Sequence, residues 1–153
     1  MRILHILSKD ITPAQEERFL RLLNILMAVS HEHTALSCAA PLIEEKLAEK
    51  NIPHDIQKFG GMFDLRTKKS FENIIHSFNP HIIVSHSQDS ATFTHGMNKK
   101  RPHIALISGN GSDRTIARHC DHTIMIGEKA KDGDILKTAL SRFEKVLKQY
   151  EAG

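Results

Sequence analysis

The stretch Asn79-Pro80-His81-Ile82-Ile83-Val84-Ser85-His86-Ser87 decides how the fold is read. Asn79-Pro80 stops a helix, because the residue before a proline is pushed out of helical conformation. Ile82-Ile83-Val84 is apolar on both of its alternating faces, which suits a strand of a parallel sheet that is covered on both sides. Ser85, His86 and Ser87 then follow where such a strand delivers its loop. In an open α/β sheet, that is the end at which ligands bind.

Outward from this stretch the same pattern recurs in both directions. Short apolar, β-branched-rich runs at 2–7, 32–37, 54–58, 82–85, 104–107 and 123–126 read as strands. Stretches of helical period separate them, and that alternation is the signature of βαβ units. Phe19, Leu22, Leu23, Leu26 and Met27 share one face of a helix over 13–29, with Thr12 as N-cap and Pro13 in its first turn. Pro41 opens a second helix through Leu42, Leu47 and Ala48. A third, over 64–78, turns Leu65, Phe71, Ile74, Ile75 and Phe78 inward. Shorter helices are expected at 90–97 and 113–120. A closing helix over 135–150 carries Leu136, Leu140, Phe143, Val146 and Leu147 on one side. Six strands joined by right-handed crossovers imply a doubly wound, Rossmann-like α/β sheet of order 3-2-1-4-5-6 with helices on both faces.

Composition agrees with that class. The 153 residues are 40% hydrophobic and 25% charged, as in an ordinary globular chain rather than a disordered or disulfide-framework one. One domain over 1–153 is expected, since a chain of this length buries roughly 70% of its unfolded surface around one core. The 21 Lys and Arg against 18 Asp and Glu are spread along the chain, which gives no basis for a nucleic-acid partner. Lys99-Lys100-Arg101 reads as a solvated turn. Cys38 and Cys120 show no metal or redox spacing, and two free thiols suit a reducing cytoplasm. The apolar opening run ends at Ser8, so it reads as a buried strand and not as a signal peptide or membrane span.

The topological rule brings the loops after the strands together at one crevice. It collects Ser8, Lys9, Asp10, Ser85, His86, Ser87, Ser108, Gly109, Asn110 and Gly111. Hydroxyls, an amide, one imidazole and flexible backbone fit recognition of a polyol or a phosphate, and they form no Ser-His-Asp triad. His86 stands out because it follows a buried strand and is flanked by two serines able to fix its tautomer. Gly109-Asn110-Gly111-Ser112-Asp113 reads equally as an anion nest or as a loop with an Asp N-cap. His31 and His33 could pair on one strand face, and His119 and His122 flank Asp121. Neither pair is joined by the further ligands a zinc site needs, so no metal and no cofactor are expected.

Taken in order, MRILHIL (1–7), HEHTALSCAAPLIEEKLAEKNIPHDIQKF (31–59), DLRTKKSFENIIHSFNPHIIVSHS (64–87), RPHIALISGNGSD (101–113) and CDHTIMIGEKAK (120–131) resemble the amino-terminal domain of family 4 glycosyltransferases, which have the two-Rossmann GT-B architecture. The resemblance implies an acceptor-side half-site whose ligands are a nucleotide sugar and a saccharide or lipid acceptor. Ser85-His86-Ser87 matches the family's "HAHS", Ile107-Ser108-Gly109 its "VHG", and Gly127-Glu128 its "SE". Ser8, Lys9 and Asp10 begin the loop that carries glycines near the donor phosphates in the family. Here residues 11–16 hold no glycine, and Ser108 stands where the family places a histidine. The donor-binding domain with its E-x7-E motif is not among these residues. The chain is therefore expected to be a fragment, or a half that works beside a separate donor-binding protein, in the cytoplasm or at the inner membrane surface, and not competent for transfer alone.

Two other readings compete with this one. A half with an uncovered cleft face could serve as a homodimerisation or protein-interaction module. VSHSQDS with ALISGNGSDRTIARHCDHTIMI also resembles a phosphosugar-binding domain of sugar isomerase type, a fold in which MRILHIL has no place as a first strand.

Overall fold

The computed structural model describes residues 1–8, 11–28, 31–37, 41–56, 65–97, 101–108, 120–126 and 132–152. The elements are β1 (Arg2–Leu7), α1 (Pro13–Met27), β2 (Glu32–Ser37), α2 (Pro41–Glu49), β3 (His54–Ile56), α3 (Leu65–Phe78), β4 (Ile82–Ser85), α4 (Gln88–Met97), β5 (His103–Ser108), β6 (His122–Ile126) and α5 (Asp132–Glu151). The six strands form one parallel sheet in the order β3-β2-β1-β4-β5-β6. This is the expected α/β Rossmann-like fold. β1 lies inside the sheet, where His5 pairs with Ala35 of β2 on one side and Val84 of β4 on the other.

Alternation along the strands sorts the core into two layers. Ile3, Ile82, Val84, Ile104 and Ile124 pack with Leu22 and Leu26 of α1 and Phe143 and Leu147 of α5. Leu7 and Ala35 continue that face under Phe19, Leu23, Ile43 and Leu47. On the opposite face Leu4, Ile6, Leu36 and Ile83 meet Phe71 of α3 and Phe93 of α4. Helices therefore cover both faces, which is why apolar residues stand on both faces of β1, β4 and β5.

Local chemistry sets the helix ends. Thr12 Oγ1 accepts the Gln15 amide at 3.3 Å and Gln15 Oε1 accepts the Thr12 amide at 2.7 Å, a reciprocal capping box that satisfies two otherwise orphaned donors. The turn that follows α2 is closed by Asn51, whose φ is 54°. The Asn51 amide bonds the Ala48 carbonyl and the Ile52 amide bonds that of Leu47, while Ile52 and Leu47 share a core cluster. α3 ends similarly at Asn79, with φ 48° and its amide on the Ile75 carbonyl.

Some expectations shift. Leu65 is 78% exposed rather than inward. It lies six residues before Phe71, which at about 100° per residue carries it roughly 120° around the helix from the buried stripe of Thr67, Ser70 and Phe71. α1 ends at Met27 rather than 29, α4 begins at Gln88 rather than 90, and β5 and β6 begin one residue earlier than expected. β3 is described only as His54–Ile56. The helix expected at 113–120 lies outside the described residues except for Cys120, which forms a bend entering β6.

Candidate ligand crevice at the carboxyl ends of the strands

β1 and β4 are neighbours although α1, β2, α2, β3 and α3 separate them in sequence, so the loops that follow them leave the sheet side by side. Ser8 follows β1, Ser87 follows β4, and their hydroxyl oxygens stand 2.8 Å apart. Ser87 is also the N-cap of α4. Its Oγ accepts the Ser90 amide at 3.2 Å, and Ser90 Oγ accepts the Ser87 amide at 2.9 Å. The amino end of α4, with its partial positive charge, thus borders the same crevice.

His86 points to the face of the sheet that carries α1. Its Nε2 lies 3.0 Å from Nδ1 of His5, and Nε2 of His5 lies 3.1 Å from Nδ1 of His33. The three imidazoles form a continuous line through the interior, with the ring of Phe19 set edge-on against His5 and His86. Burial holds His86 down to about 3. Burial lowers His33 to about 4, assisted electrostatically by the neighbouring His31 and then by the amino terminus, and opposed by the Leu26 carbonyl. His5 is pushed well below the usual imidazole range by burial, then by its neighbours His86 and His33. All three rings are therefore neutral near pH 7, each able to donate one hydrogen bond and accept one.

The flanking serines do not orient His86 as expected; His5 does. Ser85 sits one residue earlier, so its side chain leaves on the opposite face. There its Oγ lies 2.7 Å from Nε2 of His103, 3.0 Å from Oγ1 of Thr94 and 3.3 Å from the Ser90 carbonyl. This knot ties α4 to β4 and β5, and the Ser85 hydroxyl does not reach the crevice. Among the expected site residues, the structure brings together Ser8, His86 and Ser87. Ser108 closes β5 opposite Ile126 of β6, and its side chain lies outside the described residues. Lys9, Asp10, Gly109, Asn110, Gly111, Gly127 and Glu128 also lie outside them.

Among the described residues, grooves lie toward the other end of the sheet. One of about 460 Å³ runs between α3 and α4 beside Phe71, Met97 and Arg101, and one of about 300 Å³ lies beside Thr34, Asp55 and Phe78. Neither borders Ser8, His86 or Ser87. Among the described residues no group of three or more His, Cys, Asp or Glu is arranged to hold a metal ion. His33 turns to His5 instead of chelating with His31, whose ring lies edge-on at 6.4 Å. No described helix is long and apolar enough to cross a membrane.

His5 was missed because it looks ordinary alone, and His33 was weighed only as a partner of His31, not of His5. The available signal was parity: His5 interrupts an apolar strand at the position facing α1, and His33 occupies the matching face of β2. Only the parallel register brings them into line.

No protein-family model and no curated protein matches the sequence. Solved structures share its fold. Acinetobacter baumannii MurG aligns with a TM-score of 0.61 at 9% identity, over 85% of this chain and 42% of that one. Anabaena Alr3699/HepE, solved in complex with UDP and glucose, aligns with a TM-score of 0.53 at 11% identity, over 86% of this chain and 45% of that one. The Francisella novicida lysine decarboxylase LdcF aligns with a TM-score of 0.52 at 11% identity, over 97% of this chain and 17% of that one. The chain spans less than half the length of each of these proteins. At such identities the likeness is one of fold, and it resembles that of GT-B glycosyltransferase domains as well as a part of an enzyme with different chemistry.

Proposed function

We propose that this chain is the acceptor-side domain of a sugar-nucleotide-dependent glycosyltransferase of the GT-B family 4 kind, and that transfer requires a donor-binding domain in addition. The observation that carries this reading is the adjacency of β1 and β4 in the sheet, which brings the hydroxyls of Ser8 and Ser87 to 2.8 Å of each other at the switch point where such folds bind ligands. The fold shared with MurG and HepE supports it. So does the central position of β1, which favours the glycosyltransferase resemblance over the sugar isomerase one. Serine hydroxyls, a neutral imidazole and a helix amino end offer the mixed donors and acceptors that a saccharide's hydroxyls use. The complete site, with the loops that begin at Lys9, Gly109 and Gly127, would hold the acceptor and face a nucleotide sugar held by the second domain.

Isothermal titration with nucleotide sugars and with saccharide and lipid acceptors, on the chain alone and mixed with candidate donor-binding domains, tests the reading. Heat of binding to an acceptor supports it. Silence across the panel in both formats overturns it.

A second reading, a protein-interaction or homodimerisation module, draws on one observation. The Ser8 and Ser87 hydroxyls are engaged with each other, and His86 is engaged with His5. Sedimentation equilibrium separates the two: a strict monomer that binds saccharide excludes the module.

A further inference from the structure

Arg2 and His81 meet at the amino end of the sheet, separated from the crevice by the six residues of β1, about 20 Å of strand. The Arg2 backbone amide donates to Nδ1 of His81 at 2.9 Å, and Nη2 of the Arg2 guanidinium stands 3.3 Å from Nε2 of the same ring. Both Arg2 groups are donors, and neither can accept. A neutral imidazole accepts at one nitrogen and carries its proton on the other. The shorter contact, whose hydrogen the backbone fixes, is the hydrogen bond, so the proton of His81 sits on Nε2. Nε2–H of His81 and Nη2–H of Arg2 are then two donors side by side with no acceptor between them. Protonation of the ring gives no relief, since it would set an N–H at Nδ1 against the amide. Desolvation, then Arg2, the amino terminus and Arg101, hold the affinity of His81 for a proton below the ordinary value, against Glu32.

The two donors are held in place from behind. Nε of Arg2 donates to the Asn79 carbonyl at 2.9 Å; Arg101 donates from Nη1 to the Pro80 carbonyl at 2.6 Å and from Nη2 to Oδ1 of Asn79 at 2.8 Å. Two guanidinium groups thus grip Asn79-Pro80 immediately before His81, and groups fixed in this way lose little further freedom on taking a ligand. His81 is exposed and Arg2 half-buried, so a ligand reaches them from solvent. Among the described residues Arg2 forms no ion pair with a carboxylate, Glu32 opposite it in β2 included.

We propose that Arg2 and His81, backed by Arg101, form a second binding site, for the phosphate group of a phosphomonoester. An oxyanion supplies the acceptor that both N–H groups lack. Two arginines against one carboxylate leave surplus positive charge, which favours a dianion over a monoanion, and the guanidinium fork suits phosphate oxygens. The site rests on its own geometry and not on the function proposed above.

Long-range proton–nitrogen correlation spectra of the 15N-labelled full chain at pH 7.5, with inorganic phosphate added at constant ionic strength, test the proposal. Expected are the Nε2–H tautomer for His81 and saturable shifts of its ring nitrogens and of Arg2 Nε, with acetate binding about tenfold more weakly. Arg2→Gln and Arg2→Lys should each lose about tenfold in phosphate affinity, because lysine restores the charge but not the fork held on Asn79. Lys69→Gln, exposed on α3, should match the wild type. An Nδ1–H tautomer, no saturable shift, acetate bound as tightly as phosphate, or an Arg2→Lys variant of wild-type affinity overturns the proposal. The first three of these outcomes need only the wild type. Cosedimentation with vesicles of phosphatidylcholine and phosphatidic acid distinguishes the source: pelleting that Arg2→Gln abolishes assigns the phosphate to a lipid headgroup, and phosphate binding without pelleting assigns it to a soluble ester. Saccharide titrations bear on the crevice alone, so this proposal and the functional reading fail separately.

Discussion

Ser85 and His86 are adjacent in sequence and serve opposite faces of the sheet: the hydroxyl of one lies 2.7 Å from His103 under α4, and the imidazole of the other lies 3.0 Å from His5 under α1. That parity separates a residue that supports the fold from one that can meet a ligand.

Ser85→Ala deprives the His103 ring and the Thr94 hydroxyl of a shared buried partner. The expected loss is about 1–3 kcal/mol in urea denaturation, with saccharide affinity unchanged. A variant as stable as the wild type but deficient in binding would return Ser85 to the crevice.

Acid should unfold this chain through its histidines. His86 at about 3, His33 at about 4 and the still lowered His5 all have folded values below the ordinary imidazole value of 6.5. The unfolded chain thus binds protons that the folded chain refuses. The stability from keeping these rings neutral is complete above about pH 6.5, falls as pH drops below it, and is spent once pH reaches each folded value. Each ring contributes about 1.4 kcal/mol per pH unit in that window, so three together lose about 4 kcal/mol per unit. For a domain of ordinary stability, circular dichroism should show cooperative unfolding between about pH 5 and pH 3. A native spectrum persisting at pH 2.5 would contradict the buried line.

Phe143 is fully buried between α5 and the sheet, and Leu65 is largely exposed. Phe143→Ala should cost about 3–5 kcal/mol through lost burial and a residual cavity, and Leu65→Ala should stay within about 0.5 kcal/mol of the wild type. Differential scanning calorimetry on the two variants distinguishes helix faces that the sequence pattern merged.

Cys120 is pushed up to about 11 by partial burial and the neighbouring Asp121 carboxylate. In a Cys38→Ser background its reaction with a disulfide reagent at pH 8 should run about a hundredfold slower than that of an ordinary thiol, because the thiolate is the reacting form. A rate equal to that of free cysteine would mean that the thiol is open and uninfluenced by Asp121.

Most of the fold was legible because its signals are local or topological. Ile82-Ile83-Val84 announces a doubly covered strand, Thr12-Pro13 opens α1 and Asn79-Pro80 closes α3; right-handed crossovers then limit the strand order. Leu65 was misread because a leucine near a helix start fits an apolar stripe until the 100° step is followed to Phe71. In the crevice, the place was legible from the topology of β1 and β4, but the wiring was not. That His5 and not a serine meets His86 depends on the pairing of His5 with Ala35 and Val84, a register that no single segment encodes.

The interior position of β1 has a consequence during synthesis. Its partner in β2 follows about thirty residues later, with Arg2 opposite Glu32, but its other partner follows about eighty residues later, with Ile3 opposite Ile82. At ribosomal rates of about 5–20 residues per second, one edge of β1 waits roughly 4–16 s for β4 to be made. For that interval the nascent chain exposes an apolar strand edge able to pair with any other, so chaperone demand and insoluble product should rise when translation is slowed between β2 and β4.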